Sequence, residues 1–85
     1  MKNIEFIISL LSEKLNKKVK YTLYPMLNEI MFSIITSSKY IVNGKYVHTL
    51  SSERIILSYE ELDKSKIIDI VDYIISIYKE RQSTK

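Results

Sequence analysis

The sequence predicts a single α+β domain in the order α-β-β-β-(β)-α, with an antiparallel sheet of three to four strands and both helices on one face. Three observations carry this reading. Apolar residues recur with a helical period near each end of the 85-residue chain, they recur with the period of a strand in the middle, and an Asn43-Gly44 dipeptide sits between YIV and KYV. Strands grouped between two helices indicate a sheet with helices packed on one side, whereas alternating βαβ units would indicate a parallel sheet. A chain of this length supports one such core.

The first helix is expected over about residues 4–17. Asn3 is a suitable N-cap, and Ile4, Ile7, Ile8, Leu11 and Leu15 make one stripe. Lys14, Lys17 and Lys18 gather where the negative pole of the helix dipole favours cations. Phe6 and Leu10 lie off the stripe and form a second small ridge, either a wider core contact or an oligomer seam.

The period then changes to two. In strand 18–24, Val19, Tyr21 and Leu23 face the core, and Pro25 ends the run. In strand 29–36, Ile30, Phe32 and Ile34 alternate with Met31, Ser33 and Ile35. The small difference in polarity between its faces marks this strand as central. Asn43-Gly44 suits a type I′ turn, which needs positive φ at both central residues, so strand 39–42 should pair with strand 45–50. That register sets Val42 opposite Lys45, Ile41 opposite Tyr46, Tyr40 opposite Val47 and Lys39 opposite His48. It places Tyr40, Val42 and Val47 on the core side. One unbroken strand through this region would run roughly 45 Å, long for so small a domain, so a bend or bulge is expected at Ser37-Ser38. Residues 53–58 offer a further strand, with Ile55 and Leu57 facing together. Ser58-Tyr59-Glu60-Glu61 fits a capping box ahead of a short helical turn. The last helix, about 66–81, is apolar over half its circumference from Ile67 to Tyr78 and needs two partners, the sheet and the first helix. Residues 82–85 are expected to fray.

Composition narrows the function classes. Hydrophobic residues make up 46% and charged residues 27%, the balance of a globular chain. The chain has no cysteine, which excludes disulfides, thiolate catalysis and sulfur-ligated zinc, and makes the cytoplasm the expected location. No apolar run approaches the roughly 20 residues of a spanning helix, and Glu5, Ser9 and Glu13 interrupt the start where a signal peptide stays apolar; no membrane association is expected. Abundant isoleucine, lysine and tyrosine with no alanine imply AT-rich coding, as in a low-GC bacterium, a phage or a mobile element. The net charge is +3, with +4 in residues 1–48 and −1 in the rest. A basic first half permits a polyanionic partner without requiring one.

Catalytic equipment is sparse. His48 is the single side chain that titrates near neutrality, and it lacks a nucleophile, a second histidine or a motif-placed acid to work with. A lone strand histidine is more often a surface or contact residue than a base. Glu60, Glu61 and Asp63, or Asp69 and Asp72, match no calcium loop or histidine-carboxylate set. One glycine cannot build a phosphate cradle. No catalytic, cofactor or metal residue is therefore assigned, and the chain reads as non-enzymatic.

What remains is the sheet face opposite the helices. Tyr24, Met31, Ile35, Lys39, Ile41, Tyr46 and His48 are assigned there as a partner-binding set, because tyrosine and methionine are enriched in interface cores. The same residues also satisfy simple strand propensity. The expected function is that of a small accessory protein that binds a larger protein stoichiometrically, as an inhibitor or modulator of a host, defence or replication enzyme. The alternative is a nucleic-acid-binding protein using Lys17, Lys18, Lys20, Tyr24 and Lys39, although arginine, favoured for contacts to bases and phosphates, occurs only twice. Homodimerisation is compatible with both.

Overall fold

A computed structural model describes residues 3–83. Asn3 caps helix α1 (Ile4–Leu15), its Oδ1 accepting from the Phe6 N–H at 3.1 Å. Asn16, left-handed at φ 52°, ends the helix two residues before the expected boundary. Strand β1 (Lys18–Tyr24) runs into a 3-10 turn at Pro25–Leu27, closed by a second left-handed asparagine, Asn28. Strands β2 (Glu29–Val42) and β3 (Lys45–Ser58) follow, joined at Asn43 (φ 51°) and Gly44 (φ 78°). Both central residues of that turn have the positive φ a type I′ hairpin requires. Ser58 Oγ accepts from the Glu61 N–H at 3.1 Å and starts the short helix α2 (Tyr59–Lys64), which leads to α3 (Ile67–Ser83).

The three strands are antiparallel in the order β1-β2-β3. The three helices flank one face of the sheet. The core there joins Ile7 and Leu11 of α1, Leu62 of α2 and Ile70, Val71, Ile74 and Tyr78 of α3 to Val19, Ile30, Phe32, Ile34, Ile55 and Leu57. Tyr21 and Leu23 share this face, but β1 is an edge strand and leaves both partly exposed. The Tyr21 hydroxyl donates to Glu5 Oε1 of α1 at 3.0 Å. Within the broad apolar face of α3, Ile68 remains exposed.

The expected interruption at Ser37-Ser38 does not occur. Strands expected at 29–36 and 39–42 are one strand, and those at 45–50 and 53–58 are another, with continuous pairing from Glu29 opposite Ser58 to Val42 opposite Lys45. The strands do not stay over the core. They instead run past it: the molecule is 51 Å long, and its radius of gyration of 14.9 Å exceeds the about 12 Å of a compact domain this size. Tyr40, Val42 and Val47 keep the core-side phase, yet they lie beyond the helices and stay out of the core. The C-terminus is also more ordered than expected, since α3 persists through Gln82 and Ser83; residues 84 and 85 of the expected frayed tail lie outside the described residues.

Candidate interaction surface

The core ends at one row. Ile34 is fully buried and faces Glu53 across the ladder; Arg81 of α3 lies 3.8 Å from that carboxylate, and its guanidinium donates to the Arg54 carbonyl. Gln82 Nε2 adds a 3.5 Å contact to Glu53 Oε1. The last turn of α3 is thus pinned to β3 at the level where cover for the sheet runs out.

Past this row the side chains turn polar. Thr36 faces Ser51, and Ser38 faces Thr49, on the helix side of the ribbon. Small hydroxyl residues here suit two strands leaving a core, because either face meets water. Polarity does not persist. Further out, the helix side carries Tyr40, Val47 and Val42 with Lys45, and the opposite side carries Ile41 and Tyr46 beyond Lys39 and His48, while Leu50 faces Ser37 within the neck. Tyr46 is 82% exposed, Leu50 68% and Ile41 63%. The result is a two-stranded arm with a hydroxyl-rich neck, interrupted by Leu50 on the helix-free side, and a tip with apolar residues on both sides.

All seven residues of the assigned partner-binding set share the helix-free face. Tyr24 and Met31 sit at its base, the tyrosine hydroxyl 4.0 Å from the methionine sulfur, and Met31 and Ile35 are half-buried. Lys39, Ile41, Tyr46 and His48 lie on the arm. Two-residue steps of the ladder spread the set over roughly 40 Å, so it is a strip and not a compact patch. Of the lysine set, Lys18, Lys20 and Lys39 join Tyr24 on the same face, while Lys17 lies in the turn before β1.

Residues absent from both sets complete the strip. Ile56 lies beside Met31, Arg54 beside Ser33 and Leu50 beside Ser37. Leu50 shares the phase of Tyr46 and His48 within the expected strand 45–50; continuing the hairpin register past it would have identified Arg54 and Ile56, which the assumed break at Ser37-Ser38 concealed. With Arg54, the face carries Lys18, Lys20, Lys39 and Arg54 against the carboxylate of Glu29, four cations to one anion. A notch opens where β1 begins, lined by Asn16, Lys17, Lys18, Ile35, Ser37, His48 and Leu50.

At the opposite end of the sheet, Met26 and Leu27 project from the 3-10 turn, Met26 almost fully exposed. A shallow groove between β3 and α3 brings Glu61, Asp69 and Tyr73 together beside Leu57 and Ile70. Tyr21, whose hydroxyl reaches Glu5, has a perturbed titration. The hydrogen bond to Glu5 raises its pKa above 10.0, reinforced by the negative charge of that carboxylate. Among the described residues, no cluster of three or more His, Cys, Asp or Glu is placed to hold a metal ion, and no helix is long and apolar enough to cross a membrane. No family model, curated protein or solved structure matches the chain.

Proposed function

We propose that this chain is a non-enzymatic binding protein that docks on a larger protein through the helix-free sheet face and the arm. One observation carries the reading: apolar residues return at the arm tip after a polar neck. A ribbon held in water on both sides has no use of its own for Tyr40, Ile41, Val42, Tyr46 and Val47 at its far end. The usage of isoleucine, lysine and tyrosine without alanine supports a setting in a phage, mobile element or low-GC bacterium, where such a chain inhibits or modulates a host, defence or replication enzyme.

The experiment is a pull-down of the tagged chain from its native cell type, with and without nuclease, followed by affinity measurement for the partner recovered. One stoichiometric, nuclease-resistant protein is expected. Ile41→Ala with Tyr46→Ala should weaken that complex at least tenfold and leave the melting temperature nearly unchanged. Unaltered affinity in the double variant would defeat the assignment.

The excess of four cations over one carboxylate on the same face favours a second reading, binding to a nucleic acid. It predicts affinity that falls steeply between low and moderate salt, because neutralising phosphates releases condensed counterions. Charge reversal at Lys18 and Lys20 should then abolish binding. A complex insensitive to salt removes this reading.

A further inference from the structure

Strand β1 begins at Lys18, opposite Ile35, while β2 continues to Val42. From Thr36 to Val42, therefore, β2 has β3 on one side and, among the described residues, no strand on the other. Seven residues of open edge result. Natural edges are usually blunted by proline, a bulge or several charges, yet here the ladder is unbroken and Lys39 is the one charge. The molecule also has more surface than it needs. Its accessible area is 6092 Å², against about 5,300 Å² for a compact monomer of this mass, and the excess of about 800 Å² is what one partner contributes to a standard-size interface.

We infer that this edge pairs with the same edge of a second copy of the chain, antiparallel about a two-fold axis, joining two three-stranded sheets into one of six strands. A self-complementary partner fits because an antiparallel ladder of identical strands closes on itself and satisfies both rows of backbone groups with one sequence. Two-fold symmetry also narrows the register, since one residue must face its own counterpart. Centring on Ser38 drives the tip of each arm into Lys18 of the other copy. Centring on Lys39 sets like charges opposite each other, which destabilises a pair. Centring on Tyr40 sets the two Tyr40 rings together and places Lys39 opposite Ile41. The Tyr40 register is the one proposed, and it stands independently of any larger partner.

The absence of cysteine makes the test direct. Single variants Tyr40→Cys, at the proposed centre, and Tyr46→Cys, at an exposed site on β3, are oxidised and followed on non-reducing gels. Directly opposed Cα atoms lie about 4.5–5.5 Å apart, within disulfide reach, so Tyr40→Cys should convert largely to covalent dimer while Tyr46→Cys stays mostly monomeric. Light scattering of the unmodified chain should give twice 10.1 kDa, and Tyr40→Lys should give a monomer with unchanged circular dichroism. A monomeric mass across the micromolar range, or equal cross-linking of both cysteine variants, overturns the inference and leaves the edge to a different kind of partner.

Discussion

The same two strands behave as different materials at their two ends. At the base, Ile30, Phe32 and Ile34 are fully buried against the helices; on the arm, the next inward-phased residues, Thr36, Ser38, Tyr40 and Val42, lie outside the core. Alternation is identical in both regions. It assigns a side chain to a face, whereas burial depends on whether another element extends over that face. Helix length decides this: α1 has 12 residues, about 18 Å, and β2 at roughly 45 Å outruns it.

The sharpest way to break the comparison is to truncate one large residue in each region. Phe32→Ala empties a fully buried site and should cost about 3–5 kcal/mol in denaturant unfolding, a large part of the total stability of a domain this size. Leu50→Ala, on the arm, should change stability by less than about 0.5 kcal/mol. Equal costs would mean that the arm folds back onto a core.

A smaller effect separates the regions by dynamics. Gly44 has open space around its Cα, so Gly44→Ala meets no steric contact and acts only through its positive φ, at about 1 kcal/mol. Amide exchange should quicken in residues 40–47 while the amides around Phe32 keep their protection. The smallest effect lies beside the core, at Tyr21. Its raised pKa means that the Glu5 hydrogen bond stabilises the fold below the ordinary tyrosine value and fades as pH climbs through the raised one. In Glu5→Gln, the Tyr21 titration followed by NMR should move back down toward 10.0. An unmoved midpoint would place the cause elsewhere.

Local chemistry was well written in the sequence. Asn3 and Ser58 cap the helices they precede, and Asn43-Gly44 makes the turn its residues demand, because each signal depends on neighbours three or four positions away. The inward face of the base was equally legible from Val19 to Ile34. What stayed hidden depends on extent. Nothing in the alternation of residues 36–42 states that the helices stop short of them, and the serines at 37 and 38, read as a bend, are the polar neck of a straight ribbon. Within the candidate surface, phase was readable for all seven assigned residues. Arg54 and Ile56 were lost with the second half of β3, Leu50 was in phase with Tyr46 and His48 but left out of the set, and the open edge of β2 could not be read before the extent of β1 was known.

The unbroken pairing also gives the far turn a hold over the core. Closing two residues at Asn43 and Gly44 carries the least loop entropy anywhere in the sheet, and each added pair then brings the next pair into reach, from Val42 and Lys45 inward to Glu29 and Ser58. Phe32 consequently meets Ile55 in a register chosen 11 residues away, at a point that contributes nothing to the core. A slip of one residue at the turn, passed down 14 residues of strand, would face Ile30, Phe32 and Ile34 against the wrong side of β3. The arm is therefore a gauge as well as an appendage: its tip sets the alignment in which the helices find a surface to cover.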